Sequence, residues 1–452
     1  MSSSLPQALR PVGLAALCLV LTAPAWAQAP VAPTDVDRHN LLAAATVDAL
    51  PSSPTAAGER TLSVDELITT VLSHNPELRN AAQAAQTAQA SVRNAGVYAN
   101  PKLEWQTGRN QARLAGTASG NVQGWGVSQL IENPSARQAR IDAAQAAATG
   151  SALGIGQTRN ALVSDTRLLA ADYLLRRAEA NVGSEDLALL EQVRERVRLR
   201  VASGESARYE LIKADAEVIQ ARERVQTATL QAEQVLVSLN RMAGGQLPAR
   251  WSLTGALPTE APALAYDDLL QQALRFNPEL QVLQTEVSRA QAQADGARAS
   301  RWPGVELRLG QTREPDVRQS TLGVGVQIPL FDRRTAAIDE AASEVIRAQG
   351  RLEGRQATLP QELRLAWQAL DLAALRVRSL GEGVVREAES ALRVAQAAYQ
   401  FGERGILEVL DAQRVLRATR VELLRARHQL QTALIELDTL TGRHAQQAAT
   451  QP

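Results

Sequence analysis

The sequence predicts a mainly α-helical chain with a small β part, built as two internal repeats of one unit. Three observations carry this. The stretch LSVDELITTVLSHNPEL from Leu62 returns as LAYDDLLQQALRFNPEL from Leu264, an offset of 202; the pair Gly126 and Gly325 lies 199 apart, and Gly204 with Gly402 and Gly244 with Gly442 lie 198 apart. Colinear self-similarity of this length marks a duplication, with length changes confined to connecting segments. Two stretches, about Ala136 to Ala202 and about Arg333 to Phe401, keep a helical pattern for more than 60 residues, roughly 100 Å of helix at about 1.5 Å per residue. Ahead of each, apolar residues switch to strict alternation, the period of a strand.

Composition agrees. Of 452 residues 45% are apolar but only 3% aromatic, which suits long, closely packed helices better than one thick core. Acids and bases balance at 48 each, with lysine only at Lys102 and Lys213. A neutral chain without a basic stripe excludes nucleic acid as a partner, and the alternating charges read as solvated helix faces.

In chain order, Arg10, an apolar run from Val12 to Thr22 and Ala25-Trp26-Ala27 form a signal peptide over residues 1–27. Cys18, the one cysteine, lies inside that run after Leu17, so neither a lipid anchor nor a thiolate metal site is expected. Residues 28–60, rich in Pro, Ala, Ser and Thr, read as a flexible leader. The first structural repeat is expected over 61–260, the second with a C-terminal tail over 261–452. Structure is expected to begin at Ser63, where Ser63-Val64-Asp65-Glu66 forms a capping box. Asn75-Pro76-Glu77-Leu78 then stops one helix and starts another, with Asn as cap and Pro in the first turn.

In the alternating segments Leu103, Trp105 and Thr107 share one face, opposite Lys102, Glu104 and Gln106. Leu307 and Leu309 behave likewise, followed by Trp125, Val127 and Ile131 in the first copy and Leu322, Val324, Val326, Ile328 and Leu330 in the second. Each pair flanks a polar loop, Arg109 to Asn121 or Gln311 to Ser320. These hairpins have about the length, roughly 9 to 11 residues per strand, that spans an outer membrane. No later apolar run approaches the roughly 18 residues of a membrane helix. Four strands cannot close a pore, so several chains must contribute them or the edges lie open in lipid.

Pro360 is expected to kink or break the second long helix. Each long helix ends in a tip, RVASGESARYELIKAD from Arg200 and YQFGERGILEVLDAQ from Tyr399, where Gly204, Gly402 and Gly405 interrupt the helical pattern. Beyond the tips run heptad series, Ala214, Val218, Ala221, Val225, Ala228, Ala232, Val235, Leu239 and its partner from Ala412 to Leu437. Spacing alternating between four and three predicts antiparallel coiled-coil packing against the long helices. Glu408 and Asp411 fall in the first turns after the second tip, where acids also favour the helix dipole.

Signal peptide, duplicated element order and the NPEL and GERGILEVLDAQ stretches together resemble the TolC family of outer-membrane efflux channels, over about Arg60 to Gly442. The resemblance implies a homotrimer whose strands close one transmembrane β-barrel in outer-membrane lipid, above a coiled-coil helical barrel extending into the periplasm of a Gram-negative cell. It implies partners at the tips: a periplasmic membrane-fusion adaptor and an inner-membrane resistance-nodulation-division (RND) pump. Glu408 and Asp411 match acidic positions of the family's periplasmic gate; Tyr399 and Arg404 match residues that hold the tip closed, and Glu210 matches their acidic partner. Gly204, Gly402 and Gly405 mark the adaptor-contact tips, and Leu103, Trp105, Trp125, Val127, Leu307, Leu309, Val324 and Val326 the lipid-facing strands. Lys213 stands where Asp411 stands in the other copy, and Glu replaces the more usual Asp at 408 and 210. GVSQLIENPSARQARIDAA, from Gly126, resembles the branch serving heavy-metal RND pumps.

His39, His74, His428 and His444 show no ligand spacing, so metal would pass through rather than bind, and no cofactor is expected. Nothing resembles a nucleotide loop, nucleophile elbow or HExxH pair, so no enzyme is expected. The alternatives are a drug-efflux or type I protein-secretion channel of the same family, or a periplasmic coiled-coil scaffold.

Overall fold

The computed structural model describes residues 60–446 apart from 112, 114, 115 and 117. The signal peptide, nearly all of the leader and the tail beyond residue 446 lie outside the described residues.

The first repeat begins with a short strand, β1 (Arg60–Ser63), and two helices, α1 (Val64–His74) and α2 (Pro76–Ala95). Strands β2 (Lys102–Asn110) and β3 (Gly120–Ile131) follow, then α3 (Pro134–Ala202) and α4 (Arg208–Met242). A short strand β4 (Trp251–Thr254) leads to the second copy: α5 (Tyr266–Phe276), α6 (Pro278–Ala299), β5 (Val305–Arg313) and β6 (Arg318–Val326). Its long helix is α7 (Thr335–Ser379), a π-helical turn at Leu380–Val384 and α8 (Val385–Gln400); α9 (Ile406–Leu440) and α10 (Arg443–Gln446) complete the chain.

Local chemistry sets these boundaries. Ser63 and Glu66 satisfy each other's backbone N–H groups in the expected capping box. Asn75 does more than cap. Its Oδ1 accepts from the Glu77 N–H at 2.8 Å, and its Nδ2 donates to the Met242 carbonyl at the end of α4, 2.9 Å away. Asn277 repeats this with Leu280 N–H at 3.1 Å and Leu440 O at 2.9 Å. One buried amide thus serves a helix start and another helix's end, in both copies. Gly244 and Gly442 sit beside these joints with φ of 65° and 69°. A Cβ on Gly442 would overlap the Phe276 carbonyl oxygen. The duplicated glycines therefore serve both a left-handed turn and a close backbone approach.

The long helices pair antiparallel with the shorter ones, α3 with α4 and α7/α8 with α9. Ala214, Val218, Ala221, Ala228, Ala232, Val235 and Leu239 are buried, as are Leu416, Ala426, Leu430, Ala433 and Leu437, so the heptads face their partners. Around the tips one cluster draws on all four helices, including Leu190, Val197, Val218, Leu392, Ile406 and Leu416.

Four expectations need correction. β1 pairs in parallel with β4, Arg60 with Trp251 through Ser63 with Thr254, so Arg60 belongs to a strand and not to the leader. Pro360 does not break its helix: α7 runs through it, and the Pro360 carbonyl accepts from the Tyr266 hydroxyl at 3.1 Å. The departure from α-helix is the π turn, whose glycines Gly381 and Gly383 lower helix propensity. The strands also reach further into the hairpins than expected, since Arg109 pairs with Asn121 and Arg313 with Arg318. At the other end β6 stops at Val326, and Ile328 and Leu330 lie beyond it, closed by a Leu330 N–H to Ile328 O bond of 2.9 Å.

Candidate functional site

The longer sheet has four strands in the order β2, β3, β5, β6, with every neighbouring pair antiparallel. Directly paired residues share a face. Leu103 pairs with Val127, Val127 with Leu309, and Leu309 with Leu322. Trp105 pairs with Trp125, Leu307 with Val324, and Val305 with Ile131 and Val326. All of these lie on one side of the sheet, so the register joins the predicted strand residues into one apolar face. Among the described residues nothing covers it: Leu103, Leu322 and Val324 are 76%, 77% and 67% exposed. Edge strands β2 and β6 each have one unpaired side.

The opposite face is polar and rich in glycine. It carries Lys102, Glu104, Glu306 and Arg308 with Gly124, Gly126, Gly310, Gly323 and Gly325. Arg308 pairs with Glu306 at 2.6 Å, and its guanidinium lies 3.6 Å from where a Gly325 Cβ would stand. The missing side chains give long charged ones room to lie flat.

At the tips, Gly204 and Gly402 adopt φ of 82° and 76°. The Glu205 N–H bonds to Arg200 O and Glu403 N–H to Ala398 O, at 2.8 and 2.9 Å, closing each helix in the same left-handed motif. Gly405 differs: its φ is −80°, and it serves as the N-cap of α9.

Of the predicted gate residues, Arg404 and Glu408 come together at 2.8 Å within the second tip, in an exposed i, i+4 pair. Asp411 is freer, 74% exposed with Arg414 at 3.9 Å, while Arg414 makes its short contact of 2.6 Å to Glu217 on α4. Tyr399 is buried beneath Arg200, whose guanidinium carbon lies 5.0 Å from the ring centroid. The Tyr399 hydroxyl has no hydrogen-bond partner of good geometry among the described residues. Glu210, half-buried in the first turn of α4, makes no ion pair with Arg404 within the chain. Lys213 places its ammonium 5.8 Å from the Tyr209 ring centroid.

Above the tips lies a polar node that sequence reasoning missed. Asp186 of α3, only 4% exposed, accepts from Gln413 Nε2 at 2.8 Å and Arg224 at 3.3 Å, with Arg417 at 3.7 Å. Burial, then the neighbouring Arg224, hold Arg417 below the usual arginine range. The node ties α3, α4 and α9 together. Its second-copy counterpart is Val384, in the π turn, so the repeats diverge here. A buried Asp within an otherwise apolar heptad stretch was the available signal.

Among the described residues no group of three or more His, Cys, Asp or Glu side chains could hold a metal ion, and no helix is long and apolar enough to cross a membrane.

A family model for outer membrane efflux proteins matches residues 67–245 and 269–443. The cobalt-zinc-cadmium resistance protein CzcC of Cupriavidus metallidurans is 28% identical over 406 residues, spanning 86% of this chain and 91% of that protein. The nickel and cobalt resistance protein CnrC of the same organism is 27% identical over 282 residues, spanning 60% and 65%. The crystal structure of the outer membrane protein VceC from Vibrio cholerae has the same fold, with a TM-score of 0.70 at 17% identity over 84% of this chain and 96% of that one. Two matched halves, a sheet with an uncovered apolar face and paired helical hairpins fit one assignment: the chain is a member of the outer membrane efflux protein family and resides in the outer membrane.

Proposed function

We propose that the chain is one third of a passive exit duct for heavy-metal cations. The observation that carries the channel reading is the uncovered apolar face on a sheet whose two edge strands lack partners. Three copies bring twelve strands edge to edge, which satisfies the open backbone groups and places the apolar face in lipid and the polar, glycine-rich face on the passage. The helical hairpins then form a barrel reaching into the periplasm. The duct works by offering a path, and no residue performs chemistry.

The tips fit a protein partner. Phe401 is 81% exposed, with Tyr209, Ile212 and Leu407 also uncovered beside Gly204, Gly402 and Gly405. An apolar rim around a charged centre suits a periplasmic adaptor joined to an inner-membrane RND pump. In this reading Glu408, Asp411, Tyr399, Arg404 and Glu210 form the gate. Cobalt, zinc, cadmium or nickel as cargo rests on the likeness to CzcC and CnrC.

The test is deletion of the gene followed by growth on each metal salt. The reading predicts lowered tolerance to at least one cation, restored by the wild-type chain. Unchanged metal tolerance with increased sensitivity to organic compounds would move the cargo to the drug-efflux alternative.

A further inference from the structure

The apolar face of the sheet ends in arginines at one end only. Its rows run from Ile131, Val305 and Val326 beside the helices, through Leu103, Val127, Leu309 and Leu322, to the Trp105 and Trp125 pair. The next row outward contains Arg313 paired with Arg318, and the last contains Arg109 paired with Asn121. Arg109 stands two strands from Arg313 and one row further out, about 12 Å away at about 4.8 Å per strand and about 3.3 Å per residue. The helix-proximal end of this face carries no charge in the strands.

These arginines lack anions. Most arginines on the helices have carboxylate partners, but Arg109, Arg313 and Arg318 make no ion pair among the described residues, and all are exposed. Acids are close in sequence. Glu314 turns instead to Asn110 Nδ2 at 3.5 Å, and Asp316 accepts from the Ala118 N–H at 3.1 Å. Like charges directly opposite each other on paired strands are destabilising unless an anion lies between them.

We infer that Arg109, Arg313 and Arg318 form a docking rim for the phosphate groups of a phosphorylated acyl glycolipid in the outer leaflet of the outer membrane. The inference rests on the reading of the apolar face as lipid-facing. An acyl glycolipid matches both halves of the surface: chains lie on Leu103, Leu309, Leu322 and the tryptophans, and head-group phosphates reach the guanidiniums one row above. Arginine's planar fork takes two oxygens of one phosphate at once, which a diffuse surface charge does not require. The placement also fixes direction, since the rim lies at the end of the sheet away from the helices.

The experiment uses full-length protein inserted in phosphatidylcholine vesicles and titrated with bisphosphorylated lipid A. Wild type should bind it, Arg313→Gln with Arg318→Gln should bind about tenfold more weakly, and Arg386→Gln, on α8 far from the sheet, should match wild type. Arg313→Lys with Arg318→Lys should fall between, because charge is kept and the fork is lost. Inorganic phosphate at the same concentration should not displace the lipid. Equal affinity of wild type and the double Gln variant, both inserted, overturns this inference alone. Displacement by inorganic phosphate would mean an ion site without lipid recognition and overturn it too. Wild-type protein that fails to insert would overturn the lipid-facing reading itself.

Discussion

Val324→Arg tests the sheet at one position whose neighbour is a built-in control. Val324 pairs with Leu307, is 67% exposed, and stands between Leu322 and Val326 on the apolar face. If that face meets hydrocarbon, an arginine there is surrounded by acyl chains with water reachable only by snorkelling. The cost is about 2 to 4 kcal/mol per protomer near the midplane, a loss of roughly 30-fold or more in the ratio of folded to unfolded protein. Gly325, the next residue, faces the other way. Its added Cβ would stand 3.6 Å from the Arg308 guanidinium, an ordinary contact, so Gly325→Ser is expected to change stability by no more than about 0.5 kcal/mol. Urea titration of protein folded into vesicles, with assembled protein in outer-membrane fractions as the cellular readout, measures both. Equal losses in the two variants would refute the assignment of faces.

Three further predictions concern the tip and the joints. Asp411→Asn should lower cation over anion selectivity, read as reversal potential in a salt gradient, more than Glu408→Gln, because Arg404 already neutralises Glu408; Arg404→Ser should raise both conductance and cation preference. An unchanged reversal potential in Asp411→Asn would make these acids ordinary helix-end charges. Gly442→Ala should cost about 2 kcal/mol or more, since it combines a left-handed φ with overlap onto the Phe276 carbonyl, whereas Gly405→Ala, at φ −80° with open space around it, should be tolerated; thermal unfolding compares them. His444 is 2% exposed and held down to about 4, first by burial and then by Arg167. A depressed histidine binds fewer protons folded than unfolded, so its contribution is intact above about pH 6.5 and is lost as pH falls from there towards 4, by up to about 3 kcal/mol. His444→Gln should flatten that limb of the stability profile, and an unaltered slope would remove His444 from it.

Most of the fold was legible because it is repetitive. Heptads, caps and alternation are local signals, and duplication states each twice: the NPEL joints and the glycines at 244 and 442 fall where the two copies agree. What escaped depends on a single copy or on distance. The β1 and β4 strands have four residues each, too few to show a period, and they pair across the whole first repeat. Pro360 reads from propensity alone as a kink or a break, and α7 nevertheless runs through it. Of the tip residues, sequence placed Glu408 and Asp411 in the first turns of the helix after the second tip, where α9 holds them. It could not show that Arg404 spends its charge on Glu408, that Arg200 covers Tyr399, or that Asp186 gathers Arg224, Gln413 and Arg417, since each contact joins side chains whose spacing carries no period.

The central claim is that this chain's four strands are completed by two further copies. Native mass spectrometry of protein extracted from outer membranes in mild detergent tests it most directly. The account predicts one species of three chains that remains with the membrane through carbonate washing until detergent is added. A single chain, or protein released by carbonate, would contradict the account and leave a periplasmic coiled-coil scaffold as the better description.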